Sequence, residues 1–184
     1  MNRTQLQSVN IQIRQATLPD ATGIARVHVD SWRSSYLDVV PEELLSGLSY
    51  TEREALWDGI LNPSRTDVHC FVAETHINGI VGFACGGTAR ENRLGYEGEI
   101  YSIYLRQEYQ GMGIGRRLFI SVAERLLDDG KSSFFLWVFE ENHSARRFYE
   151  SLGGELADRM EVNIGGVVFV ELAYGWNDIE RLVG

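Results

Sequence analysis

Ile11 and Ile13 alternate with Gln12 and Arg14, which predicts a first strand. Thr17-Leu18-Pro19-Asp20 then has the form of a capping box, with Thr17 as cap, Asp20 three residues on and Pro19 in the first turn. Ile24, Val27, His28 and Ser31 follow at helical spacing and predict a helix to about Leu37. Pro41 breaks it, and Leu44-Leu45 with Leu48 predict a short helical piece. A further helix is expected from Thr51 to Leu61, with Ala55, Leu56 and Ile60 turned inward and Trp57 a further candidate for that face.

Cys70-Phe71-Val72-Ala73 and Ile80-Val81-Gly82-Phe83-Ala84 are two strand runs joined through His76-Ile77-Asn78-Gly79. Asn-Gly between apolar runs predicts a hairpin, because both residues tolerate positive φ. Gly86 to Tyr96 reads as a polar loop. A strand over Glu97 to Leu105, a glycine-rich turn and a helix to about Asp129 come next, ended by Gly130. Phe134 to Phe139 is a run of large apolar residues suited to a strand covered on both faces. Asn142 to Leu152 predicts a short helix stopped by Gly153-Gly154, and two last strands flank Gly165-Gly166. Hairpins followed by a βαβ unit imply a mixed α/β fold: a mostly antiparallel central sheet with helices on both faces. No linker or repeat interrupts residues 1–184, which read as a single domain.

The turn Gln110-Gly111-Met112-Gly113-Ile114-Gly115 carries the most chemistry. Between a strand and a helix, glycines let the backbone approach a ligand closely, and the unpaired N–H groups of the helix start favour an anion such as pyrophosphate. A nucleotide-triphosphatase loop would end in Gly-Lys-Ser/Thr, whereas this one runs Gly115-Arg116-Arg117. A dinucleotide fold would place its glycines in the first strand–helix unit, whereas these lie past the midpoint.

Gln-x-x-Gly-x-Gly, with Glu99-Ile100 upstream and Asn142…Tyr149 downstream, resembles the GNAT superfamily of acyl-CoA-dependent N-acyltransferases. The resemblance runs from Ile13-Arg14 to about Tyr174 and is strongest from Glu97 to Gly153. It implies a splayed parallel strand pair that admits the donor, acetyl-CoA. It also implies that Gln110, Gly111, Met112, Gly113, Ile114, Gly115 and Arg116 cradle the pyrophosphate, although Arg116 reads equally as a solvated residue of a first helical turn. The backbone of Ile103, Tyr104 and Leu105 would pair with the pantetheine like an added strand, and one of its N–H groups would stabilise the oxyanion. Asn142 is a good helix cap, and the resemblance adds a hydrogen bond to the pantetheine arm. Arg106-Gln107 stands where many relatives carry a proline.

Acyl transfer to an amine needs a neutral nitrogen and a stabilised leaving thiolate, and an alkylamine with a pKa of about 10.4 is mostly protonated near neutrality. Glu99 is the candidate base: it fits the family's Glu-Ile pattern, and apolar neighbours would raise its pKa. The alternatives are a rim glutamate on a solvated strand end, or Glu97 two residues earlier in the same role. Tyr149 is the candidate acid, the tyrosine of the matched pattern Asn142, Ala145, Phe148-Tyr149, Gly153. Its alternative is a core aromatic with a satisfied hydroxyl. Trp32 and Tyr36 fall where the family walls its acceptor side, and packing is an equal reading for either.

The net charge of −9, from 17 basic and 26 acidic side chains, argues against nucleic acid or an anionic membrane as partner. A small-molecule or peptide amine acceptor is compatible with it, and a homodimer is left open. Cys70 and Cys85 sit in apolar contexts and read as reduced core residues. No metal-ligand spacing is present, Met1 to Gln5 lack an apolar signal core, and no apolar run reaches membrane-spanning length, so a cytoplasmic enzyme is expected. The resemblance is shared by a second function, a noncatalytic acyl-CoA-binding or sensing domain of the same fold.

Overall fold

The computed structural model describes residues 10–37, 39–91 and 93–184. The first five residues, read above for a signal core, lie outside the described residues. Among the described residues seven strands form one sheet in the order β1-β2-β3-β4-β5-β7-β6. They are β1 (Ile11–Gln15), β2 (Val68–Thr75), β3 (Gly79–Thr88), β4 (Gly98–Leu105), β5 (Phe134–Phe139), β6 (Glu155–Ile164) and β7 (Val167–Trp176). The helices are α1 (Ala21–Ser35), α2 (Glu42–Ser46), α3 (Tyr50–Ile60), α4 (Ile114–Asp128), α5 (His143–Ser151) and α6 (Ile179–Val183). β1 runs antiparallel to β2, and β7 runs antiparallel to both β5 and β6. β4 and β5 are parallel, with a register of Gly98↔Phe134 and Glu99↔Phe135. The mixed, mostly antiparallel α/β class is therefore the one observed.

The chain divides into two compact units, residues 1–85 with 102–122, and residues 86–101 with 123–184. In the first unit, one turn of 3-10 helix over Leu18–Asp20 precedes α1. The Asp20 carboxylate accepts from the Thr17 amide at 2.7 Å and from Arg14 at 2.7 and 2.8 Å. The Arg14 guanidinium is the main reason the Asp20 carboxyl drops to about 2, since an adjacent cation favours the charged form. The core of this unit joins Ile24, Ala25 and Val27 of α1, Trp57 of α3, Cys70 and Val72 of β2, and Phe83 of β3. Each large apolar side chain buried here is worth roughly 1.5–3 kcal/mol.

The structure corrects three sequence expectations. On α3, Ala55 and Leu56 are exposed and the buried residue is Trp57. Its indole buries more area than either and also donates Nε1–H to His28 Nδ1 at 3.2 Å. β3 runs on to Thr88, three residues into the segment read as loop. Cys70 and Cys85 are joined in a disulfide, not reduced, with their Cα atoms 4.2 Å apart. The hairpin that buries both thiols also sets them opposite each other. The reading of the cysteines from apolar context alone could not see that pairing, and the bond removes the cysteine argument for a reducing compartment. Among the described residues no helix is long and apolar enough to cross a membrane.

In the second unit, Phe134 and Leu136 of β5 and Tyr174 and Trp176 of β7 are buried with Tyr149 and Leu152 at the end of α5. Phe134 and Trp176 stack at 4.9 Å and 11°. Trp176 Nε1–H donates to the Leu152 carbonyl at 2.9 Å, which satisfies the one polar group of that indole.

His28 gives the first unit a pH-dependent term. Its ring stacks on Tyr104 at 5.1 Å and 18°, and Nδ1 accepts from Trp57, so the neutral ring carries its proton on Nε2. Burial, helped by the charge of Arg53, lowers its pKa to about 4. Between that value and the ordinary 6.5 the unfolded chain binds the extra proton. Stability from this source is therefore complete above about pH 6.5 and is lost as pH falls toward about 4. Urea unfolding of the parent should lose about 2 kcal/mol between pH 7 and pH 5 beyond the loss seen in His28→Gln. Equal losses in the two proteins would contradict a neutral, buried His28.

Candidate active site

The glycine turn is built as the spacing predicts. Gly111 and Gly113 have φ of +74° and +77°, a region costly for side-chain-bearing residues. A Cβ placed on Gly113 meets nothing within 4 Å, so the space above this backbone is open. Ile114 is buried and begins α4, while Gly115 and Arg116 lie in its first turn, with Arg116 exposed. The first amides of a helix have no partner within it, so this turn presents N–H groups beside open space. Met112 is half-buried, and Gln110 uses its side-chain Nε2 to bond the Leu105 carbonyl at 3.3 Å.

The strand exit at Arg106-Gln107 needs no proline. A 3-10 turn over Gln107–Tyr109 replaces it, anchored by Tyr109, which is 1% exposed and whose hydroxyl accepts from Asn78 Nδ2 at 2.5 Å. Ile103, Tyr104 and Leu105 form the last turn of pleat in β4, and the Arg106 amide donates to Val81 at 2.9 Å. Tyr104 is held by the His28 stack and by Trp32, whose Nε1–H donates to its hydroxyl at 2.8 Å. Tyr36 is buried and packs edge-on against Trp32 at 5.0 Å, which gives it a packing role, while Trp32 is half-buried.

Glu99, Asn142 and Tyr149 belong to the second unit. Asn142 caps α5, its Oδ1 accepting from the Ala145 amide at 3.1 Å. Tyr149 is 6% exposed, with its ring 6.2 Å from that of Tyr174 and edge-on to Trp176 at 6.3 Å. Glu99 is 2% exposed. Its surroundings differ from the apolar setting that the strand pattern suggests: the carboxylate accepts from Arg90 Nη2, from Arg90 Nε at 3.0 and 3.1 Å, and from the Arg90 amide at 3.0 Å. Arg90 also lies over the Tyr101 ring at 4.7 Å, and Tyr101 donates to the Thr88 carbonyl at 2.5 Å. Sequence spacing missed Arg90, because it sits in a loop with no periodicity to mark it. Glu97 is exposed and accepts from the Ser132 amide at 2.6 Å and hydroxyl at 2.9 Å, bonds that lower its pKa and occupy it structurally. Among the described residues no group of three or more His, Cys, Asp or Glu is placed to hold a metal ion.

A mixed sheet with one parallel pair, and a positive-φ glycine turn leading from its central strand into a helix, is the architecture of the acyltransferases that the sequence resembles. The model of the Acetyltransferase (GNAT) family matches residues 28–154, and the chain belongs to that family. It is 40% identical over 172 residues to the uncharacterized N-acetyltransferase YuaI of Bacillus subtilis (strain 168), covering 94% of this chain and 96% of that protein. An uncharacterized N-acetyltransferase of Archaeoglobus fulgidus is 30% identical over 147 residues, 77% of this chain and 90% of its own. Among solved structures, PaiA N-acetyltransferase from Thermoplasma acidophilum in complex with coenzyme A superimposes with a TM-score of 0.69 at 22% identity. That match covers 89% of this chain and 98% of PaiA, and at such identity it is a likeness of fold.

The Arg90–Glu99 pair sets a measurable energy. Removing one partner of a buried pair costs more than removing both, because a lone buried charge is left behind. Arg90→Met should destabilise the protein by roughly 1–3 kcal/mol, reduced from the fully buried case because the arginine side is exposed to solvent. Arg90→Met combined with Glu99→Leu should recover part of that loss. Urea unfolding of the two single variants and the double variant measures the coupling, and strict additivity would show that the pair contributes nothing.

Proposed function

We propose that this protein is an N-acetyltransferase that moves the acetyl group of acetyl-CoA to a primary amine by direct transfer in a ternary complex. The observation that carries the reading is the open, positive-φ glycine turn at the start of α4, in a chain whose family is established. The pyrophosphate is assigned to the backbone of Gly111 through Arg116 and the pantetheine to the edge of Ile103–Leu105. PaiA and yncA from Salmonella typhimurium, relatives in fold, are described with coenzyme A and acetyl-CoA respectively, which supports that donor. The family match runs through both compact units, which supports reading the chain as one catalytic domain.

The chemistry follows from charge. The amine must first lose a proton to a base, the role for which the family's Glu-Ile pattern offers Glu99. The thiolate that leaves carries a pKa near that of a cysteine-like thiol, about 8.5, and a phenol, ordinarily about 10, can donate to it as charge develops, the role proposed for Tyr149.

Two predictions follow this reading. Gly113→Val should weaken acetyl-CoA binding, since a branched side chain would occupy the space above the turn, and should also cost roughly 1–2 kcal/mol of stability from its positive φ. Calorimetric titration of the folded variant measures the first effect, and unchanged affinity would remove the pyrophosphate from this turn. Tyr149→Phe should lower turnover by roughly 10²–10⁴-fold, with donor affinity little changed. The assay follows CoA release and product mass over a panel of amino acids, polyamines, aminoglycosides and lysine peptides. Parent-like turnover in a folded Tyr149→Phe would leave the tyrosine as packing. Absence of amine-dependent release by the parent would mark a noncatalytic acyl-CoA-binding domain.

A further inference from the structure

Glu171 lies on β7, opposite Phe139 of β5 and Met160 of β6 in the strand register. Glu99 stands opposite Phe135 of β5. Phe135, Trp137 and Phe139 alternate on one strand and so point to one face. Both glutamates therefore occupy that face of the sheet within the second unit.

The loop before β4 covers the same face and pairs its other carboxylates. Trp137 Nε1–H donates to Glu91 at 3.0 Å, and Arg93 lies over the Trp137 ring at 5.4 Å. Arg93 pairs with Glu91 at 3.1 Å and Asp158 at 2.8 Å, and contacts the Met160 sulfur at 3.5 Å. Arg90 takes Glu99. Glu171 is half-buried, and among the described residues its carboxylate has no hydrogen bond or ion pair. An unpaired, partly desolvated carboxylate costs stability, which makes it a candidate for function.

We propose that Glu171 is the base that takes the proton from the acceptor's ammonium group, with the Arg90–Glu99 pair beside it as a fixed neutral unit. The inference rests on the acetyltransferase reading above. Glu99 is poorly suited to the step itself, since both of its oxygens are engaged by Arg90 and it is 2% exposed. Burial is the main reason the Glu171 carboxyl lies above the ordinary carboxylate range; Arg90 pulls it down and the charge of Glu99 pushes it up. The charged groups facing it are Arg90 from the loop and Glu99 from β4, while β5 and β6 oppose it with Phe139 and Met160. A base with a raised pKa is better matched to a proton held by an alkylammonium.

The step balances as follows. R–NH3⁺ gives one proton to the Glu171 carboxylate, and the freed lone pair attacks the thioester carbonyl to form the C–N bond. Collapse breaks the C–S bond, its electron pair passing to sulfur, which takes the Tyr149 proton. The nitrogen's surplus proton restores the tyrosinate, and Glu171 releases its proton to water. The products are the N-acetylamine, CoA thiol and one proton.

The test compares parent, Glu171→Gln and Glu99→Gln with the best acceptor of the amine panel. Glu171→Gln should lower kcat/KM for the amine by roughly 10²–10⁴-fold, abolish the acid limb of the pH profile and leave the KM for acetyl-CoA unchanged. Glu99→Gln should free Arg90 to pair with Glu171 and move the acid limb to lower pH without abolishing it. Independently of activity, ¹³C-glutamate NMR should show one carboxyl titrating above the ordinary range in the parent and missing from Glu171→Gln. A parent-like pH profile in Glu171→Gln, with or without a lowered Tm, would overturn the assignment, as would loss of the acid limb in Glu99→Gln alone or absence of the NMR signal. A parent that releases no CoA with any amine would instead overturn the acetyltransferase reading, and the role of Glu171 with it.

Discussion

A carboxylate that is 2% exposed must have a partner, and the pairing of Glu99 with Arg90 is the constraint around which the second unit is arranged. Glu99 enters the sheet in register with Phe135, at the second residue of the parallel ladder. To reach it, the loop before β4 must fold back over the same face, and it does so with several contacts of its own. Arg90 bonds Glu99 through both side chain and amide and lies over Tyr101, Arg93 lies over Trp137, and Glu91 accepts a hydrogen bond from the indole N–H. An otherwise irregular segment thereby becomes a charged lid on an aromatic face, where one further carboxylate, Glu171, is left without such a partner.

In the first unit the governing constraint is conformational. Gly111 and Gly113 hold φ values that few other residues tolerate, and they turn the chain from β4 into α4 within a few residues. Tyr109 and Gln110 fix the approach, one by burial and one by bonding back to Leu105. Arg117 fixes the departure, its amide bonding Gly113 at 3.1 Å and its side chain bonding Ile11 at 3.1 Å. A backbone cradle for an anion works only if it does not move, and these contacts hold it without placing a side chain over Gly113.

Features that depend on local periodicity were legible in the sequence. The strands, the helices, the Asn142 cap and the glycine turn all follow from spacing within a dozen residues, and the class of fold follows from their order. What was missed depends on contacts between distant segments. Cys70 and Cys85 each look like a buried thiol, and only the hairpin pairing turns them into a bond. Leu56 is apolar and Trp57 is amphipathic, yet the indole faces inward because His28, 29 residues earlier, supplies an acceptor for its N–H. Glu99 was legible as a residue of interest, but its partner was not, since Arg90 carries no pattern that marks it. Glu171 had no signal at all: on a strand of mixed composition a lone glutamate reads as solvated.

The same separation explains the division of labour proposed for the site. Local sequence motifs specify what must touch an invariant cofactor, because a pyrophosphate and an extended thiol arm are bound largely by backbone, and backbone geometry is written locally. The groups that handle the amine are side chains whose charge and protonation depend on their neighbours across the sheet. Tyr149 belongs to both descriptions: its position follows from the α5 pattern, while its burial beside Tyr174 and Trp176 is a tertiary fact. A phenol can pack in a core and still donate to a thiolate that forms against its hydroxyl. Packing and acid catalysis are therefore compatible demands on one residue, whereas pairing with Arg90 and accepting a proton are competing demands on Glu99. That competition is the physical reason for assigning the proton to the carboxylate that has no partner.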